Sequence, residues 1–246
     1  MKKMLSLLYG VVSYLFFLVT IIYAIGFVGN IIVPKTIDSR PTTDLFTAFL
    51  TDAFLLVVFG IQHSVMARSA FKRRWTKIIP AHLERSTYVL LSSLCLMLMM
   101  WKWEPIGGEI WSIENRHVQI VLRIVSLLGW TIVFLTTFLL NHFDLFGLRQ
   151  VWMYWKSKTY FELPFGVPLF YQWVRHPLYF GFLIAFWATP AMTIAHLLFA
   201  ILTTGYILTA IQLEEKDLLD SFGNKYRIYK RWVPMLIPFT KRKSDK

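Results

Sequence analysis

Residues Leu178 to Leu213 contain no Asp, Glu, Lys or Arg over 36 positions. That length is too great for one bilayer crossing and barely enough for two, since a membrane helix needs about 20 apolar residues. Lipid offers no partner to an open backbone, so the run must be helical. Thr189-Pro190 stands near its middle, where proline cannot continue a helix. The stretch predicts a tight helical hairpin whose two ends emerge on one side of the membrane.

Four further apolar runs precede it: Met4 to Pro34, Leu45 to Ala67, Ser86 to Trp101 and Ile124 to Asn141. The expected fold is an all-α integral membrane protein of four spans plus the C-terminal hairpin. That makes five to six membrane helices, with interfacial helices on the cytoplasmic side. Residues 1–246 are expected to form a single membrane domain. Its parts are 1–141 with the four spans, 142–177 as a cytoplasmic segment, 178–213 as the hairpin, and 214–246 as a cytoplasmic amphipathic helix and basic tail. Met1-Lys2-Lys3 before an apolar run resembles a signal peptide, but the run is too long and lacks a clear cleavage site, so an uncleaved first span is expected. The single cysteine, Cys95, excludes an intramolecular disulfide and a cysteine metal cluster. No zinc or iron spacing is visible, and no metal is expected.

A net charge of +12 raises the question of nucleic acid, but the basic residues sit between apolar runs, as flanking anchors at anionic lipid do. The expected partners are the bilayer and a small molecule rather than nucleic acid. With the N-terminus in the cytoplasm and alternating spans, the inner segments hold 21 Lys and Arg and the outer loops four. That bias orients the chain with both termini cytoplasmic, in an inner (cytoplasmic) membrane, and requires the hairpin to return. It also places His142, Asp144, Arg149, Arg175, His176, Glu214 and Glu215 on one rim.

Each group on that rim has a plain reading. Arg175 and His176 precede Pro177, a residue suited to the first position of a helix. They either anchor the membrane surface or offer a guanidinium to a carboxylate. Glu214-Glu215 either leaves the membrane solvated or takes a ligand's hydroxyl or ammonium groups; acids near a helix C-terminus oppose its dipole and want a partner. Phe222, Tyr226, Tyr229 and Val233 share one face of an amphipathic helix predicted over Lys216 to Trp232. In the segment Asn141 to Gln150, His142, Asp144 and Arg149 are candidates for proton transfer and charge stabilisation; the plain reading is an interfacial turn closed by an Asp144–Arg149 pair. Asp52 and His63 lie three helical turns apart on one face, where internal pairing or pocket lining is expected. His196 reads as a satisfied core histidine.

Taken together the order is specific. Arg175-His176-Pro177, Tyr179, Gly181, Glu214-Glu215, Leu218, Phe222-Gly223, Tyr226, Tyr229, Val233-Pro234 and Ile237-Pro238 resemble the membrane methyltransferase superfamily of the isoprenylcysteine carboxyl and phospholipid N-methyltransferases. Over nearly the whole chain, Tyr23 to Asn30 and Asn141 to Gln150 resemble the bacterial methanethiol S-methyltransferases; the carboxyl methyltransferases do not share Asn141 to Gln150. The resemblance implies S-adenosyl-L-methionine as cofactor, held by Arg175, His176, Pro177, Tyr179, Gly181, Glu214, Glu215, Tyr226 and Tyr229. It implies methylation of methanethiol to dimethyl sulfide. A thiol reacts as its thiolate, and His142, Asp144 and Arg149 are the candidate catalytic groups to accept its proton or steady the anion. The alternatives are another acceptor (a prenylcysteine carboxylate or a phospholipid amine), or a non-catalytic denitrification-associated membrane accessory that carries haem or aids nitrogen-oxide metabolism, with His63, His142 and His176 as ligand candidates.

Overall fold

A computed structural model describes residues 1–161 and 163–240; the basic tail expected at 241–246 lies outside them. Among the described residues there are ten α-helices: α1 (Lys2–Gly29), α2 (Leu45–Ala67), α3 (Ser69–Trp75), α4 (Ala81–Lys102), α5 (Arg116–Leu139), α6 (His142–Leu145), α7 (Leu148–Trp155), α8 (Pro177–Trp187), α9 (Ile194–Phe222) and α10 (Asn224–Trp232). Two short strands, β1 (Glu109–Ser112) and β2 (Ala191–Thr193), pair antiparallel. Five helices, α1, α2, α4, α5 and α9, are long and apolar enough to cross a membrane, and α8 is a shorter apolar helix of 11 residues. The protein is all-α and membrane-integral.

The chain divides into two compact units. The first comprises Met1–Ser112, Asn141–Phe161 and Ala191–Leu202. Its core holds Phe27, Ile37, Met99, Met100, Trp103 and Phe199, with Trp103 edge-on to both Phe27 and Phe199. Asp44 caps α2 by accepting from the amides of Phe46 and Thr47, which fixes where that helix starts. Asp52, fully buried in α2, accepts from the Glu104 amide at 2.8 Å through one carboxylate oxygen. His63 lies against the Tyr88 hydroxyl and Ser92, and buried His196 against Asp38. Gly10 of α1 is needed for close packing, since a Cβ there would meet Val151 at 2.5 Å.

The second unit comprises Ile113–Leu140, Glu162–Pro190 and Thr203–Lys246. Helices α5 and α8 touch backbone to backbone: a Cβ on Gly129 would stand 2.7 Å from the Gly181 carbonyl, and one on Gly181 would stand 2.7 Å from the Gly129 carbonyl. Ile207, Ile211 and Leu236 form a core against Tyr179, Phe180, Phe182 and Leu183 of α8. The Trp187 indole donates to Thr204 at 3.0 Å. So α8 packs along the returning helix α9, as a hairpin does. The hairpin is lopsided, with a short outgoing arm and a 29-residue return.

Helix α9 does not stop at Leu213, where the uncharged run ends. It continues through Glu214 and Glu215 to Phe222 and breaks at Gly223, whose φ is +55°. Glu-Glu-Lys-Asp-Leu-Leu-Asp contains no helix breaker, so the helix outlasts the apolar run. The amphipathic helix expected from Lys216 is therefore only α10, from Asn224.

Candidate functional site

In the second unit the two halves of the C-terminal motif meet. The Arg175 and His176 amides donate to the carbonyls of Pro234 and Met235, at 2.8 and 3.2 Å. Pro177 occupies the first turn of α8, where its missing N–H costs nothing. This backbone pairing aims Arg175 and His176 at Glu215 of α9.

Glu215 is buried, at 2% exposure. Its Oε1 accepts from Arg175 Nε at 2.7 Å and from Arg175 Nη2 at 2.7 Å, and His176 Nε2 stands 3.1 Å from it. The Lys230 ammonium of α10 sits 2.5 Å from Oε2. The third Arg175 nitrogen donates to the carbonyls of Val233 at 2.6 Å and Lys230 at 3.3 Å. Burying this many charges is tolerable because every one is paired and hydrogen-bonded.

Glu214 is different. Its side chain is 43% exposed, and His176 Nδ1 stands 3.8 Å from its carboxylate. Around the acids stand aromatic rings. Phe165 lies 5.1 Å from Phe222, 6.0 Å from Tyr226 and 5.7 Å from Tyr229, centroid to centroid. The Tyr229 hydroxyl donates to the Tyr171 carbonyl at 2.6 Å. The Tyr226 ring is buried, and its hydroxyl has no hydrogen-bond partner among the described residues. Burial, with the Glu214 charge beside it, raises the Tyr171 phenol pKa. Burial likewise raises Tyr226 and Tyr229, so all three stay protonated donors. Tyr179 stacks obliquely near His176, 5.7 Å between centroids, while the backbone of Gly181 packs on α5.

The first unit holds the other candidates. Asn141 adopts left-handed φ of +71° and caps α6 through its side chain. His142 is buried against Phe143 and Phe146, with Nε2 2.7 Å from the Tyr14 hydroxyl of α1. Desolvation lowers its pKa from the usual 6.5, so at neutral pH it is uncharged. Asp144 accepts from Arg149 at 2.9 Å, and Tyr160 donates to its other oxygen at 3.4 Å. Arg149 also donates to the Phe161 carbonyl at 3.0 Å and lies over that ring at 4.4 Å. Gly147, at φ +88°, lets this turn press on α4: a Cβ would meet the Ser86 amide nitrogen at 2.7 Å. Arg175, His176, Glu214, Glu215, Tyr226 and Tyr229 thus come together in one unit, and His142, Asp144 and Arg149 in the other.

No family model matches the chain, and no solved structure matches it. Among curated proteins, a methanethiol S-methyltransferase of Crocosphaera subtropica is 57% identical, covering 99% of this chain and 96% of its own length. One of Mycobacterium tuberculosis is 50% identical over 98% and 99%. The chain belongs to the methanethiol S-methyltransferase family. More distantly, Nurim of Xenopus laevis is 28% identical over 73% of the chain and 67% of its own length.

For this family member the residues gathered around Glu214 and Glu215 fit a ligand bearing hydroxyls and positive charge. The half-exposed Glu214 carboxylate accepts, the Tyr226 hydroxyl is a buried donor without a partner, and four aromatic rings stand close by. Arg175 fits a ligand carboxylate less well, because all three of its nitrogens are engaged within the protein. Phe165, Tyr171, Lys230 and Tyr14 were not singled out from the sequence. Phe165, set between Pro164 and Gly166, had a local signal as an aromatic at a turn; the others had none.

Proposed function

We propose that this chain transfers a methyl group from S-adenosyl-L-methionine to methanethiol, giving dimethyl sulfide, with the donor held on the cytoplasmic side by the second unit. The observation that carries the reading is Glu215 pinned by Arg175, His176 and Lys230 beside an open Glu214 and a partnerless buried Tyr226 hydroxyl. The named activity of relatives 50–57% identical over nearly their full length supports it.

When bound, the cofactor supplies an electrophilic methyl group on a sulfonium. The protein's own groups supply the rest. Glu214 accepts from the ribose hydroxyls or the ammonium. Tyr226 donates its free hydroxyl to the ligand. Phe165, Tyr226 and Tyr229 offer ring faces to positive charge, an attraction worth ~0.5–2 kcal/mol. Lys230, the half-exposed cation of the cluster, is the partner for the ligand carboxylate. Arg175 and His176 act by holding Glu215 and the Pro234–Met235 backbone in place. Alignment of donor and acceptor then lowers the barrier of an in-line displacement.

A thiol reacts as its thiolate, so its proton needs an acceptor. Of the three candidates, His142 suits that role: it is neutral at physiological pH and hydrogen-bonded to Tyr14. Asp144 and Arg149 are committed to each other and to Tyr160 and Phe161, and hold the turn that carries His142.

The test is purified protein in lipid nanodiscs given methyl-labelled S-adenosyl-L-methionine and methanethiol, with the headspace analysed by mass spectrometry. Labelled dimethyl sulfide is expected. Label found instead in the lipid or in a prenylcysteine ester, with none in the headspace, would assign a different acceptor. No transfer to any of them would defeat the enzymatic reading.

A further inference from the structure

Helix α10 has two faces, and the donor cluster accounts for only one. Tyr226, Tyr229, Lys230 and Val233 recur at helical spacing and face Glu215 and Arg175. The opposite face carries Lys225, Ile228 and Trp232 along one stripe, with Arg227 and Arg231 beside it, all exposed. Ile228 and Trp232 are 48% and 52% exposed, and the chain beyond adds Ile237 at 65% and Phe239 at 89%. Helix α10 holds four cations and no acid. It also begins at Asn224, with only Gly223 between it and the end of the membrane-spanning helix α9. Large apolar side chains set among cations at the end of a span are what a helix lying in a headgroup layer presents.

We infer that this outward face, together with Ile237 and Phe239, rests on an anionic bilayer surface, and that the contact holds the donor site closed. The second half rests on the donor-site reading above. The charge decides the occupant: a second copy would bring the same cations and repel, whereas anionic headgroups attract each Lys and Arg. The coupling is mechanical. The same short helix supplies buried Tyr226, the Lys230 ammonium on Glu215, and the Lys230 and Val233 carbonyls that accept from Arg175. A lipid surface that fixes α10 therefore fixes all of these at once, and by reciprocity a bound donor strengthens the lipid contact.

The experiment measures S-adenosyl-L-methionine affinity by calorimetry with the full chain in two nanodiscs, one of phosphatidylcholine alone and one containing phosphatidylglycerol. The expected result is binding about three- to tenfold tighter with the anionic lipid, the gain vanishing at high salt. The variant Lys225→Gln, Arg227→Gln, Arg231→Gln should bind in phosphatidylcholine as the wild type does and show no gain. Ile228→Ser with Trp232→Ser should lose the gain through the apolar contacts. Equal wild-type affinity in the two lipids overturns the inference alone, as does a gain kept by the triple variant or a dimer that the triple variant dissolves. No binding in either lipid brings down the donor-site reading and this inference with it.

Discussion

Glu214 and Glu215 are adjacent in sequence and opposite in circumstance. Glu215 is buried between the cations of Arg175 and Lys230 with His176 beside it, while Glu214 keeps an exposed carboxylate. Glu214→Gln should leave the unfolding temperature unchanged and weaken S-adenosyl-L-methionine binding about tenfold, the scale of one lost charge-assisted hydrogen bond. Glu215→Gln should instead destabilise the fold by about 3–5 kcal/mol, because it strands the buried Arg175 guanidinium. Thermal unfolding and calorimetry on both variants check this; equal losses of stability would contradict it. His142 carries a pH signature. Its pKa in the folded chain lies below the usual 6.5, so below about pH 6.5 the unfolded chain binds a proton that the folded one resists. Stability is therefore full above that pH and lost as pH falls. His142→Gln should flatten the loss measured in unfolding midpoints between neutral and mildly acidic buffer. At this scale the sequence was partly legible: the acids, Arg175, His176 and the two tyrosines stood out because residue type and order mark them. Tyr14, Tyr171 and Lys230 did not, because each acquires its role from a partner far along the chain. Nor did the sequence say which acid is sealed, since burial is a property of packing.

Elements follow from simpler rules, and where those rules are local the sequence read well. The bounds of α2, Leu45–Ala67, were expected as observed, because Asp44 caps its start and Arg68 follows its end. The ends of α5 and α9 depart from the sequence expectation for one reason: a helix need not end where its apolar run does. Helix α5 begins at Arg116, capped by Asn115, eight residues before the apolar stretch that starts at Ile124. Helix α9 runs on until Gly223. The ribbon of β1 and β2 was missed, because pairing across 80 residues leaves no local pattern in so short a strand. The outgoing arm of the hairpin is seated on α5 by a contact that glycine makes possible. Gly181→Ala should force α8 off α5, because the atom it meets is the Gly129 carbonyl rather than a movable side chain. The expected result is a loss of about 1–3 kcal/mol and, since Pro177 begins the same helix, weaker donor binding. Gly205→Ala, with open space around it, is the control and should do neither. A Gly181→Ala protein as stable as the control would contradict the packing argument.

For the whole molecule, the long uncharged runs decided most of the outcome: five helices long and apolar enough to cross a membrane, and a returning hairpin. That return is what places Arg175, at the start of one arm, within 2.7 Å of Glu215, toward the end of the other. The most direct test of the donor site proposed there is calorimetric binding of S-adenosyl-L-methionine to wild-type protein and to Tyr226→Phe, alongside their unfolding temperatures. The Tyr226 hydroxyl has no partner among the described residues, so its removal should cost no stability and should raise the unfolding temperature if it changes it at all. If that hydroxyl serves the ligand, binding should nonetheless weaken severalfold. A variant that binds as tightly as the wild type, or a wild type that does not bind, would contradict the account.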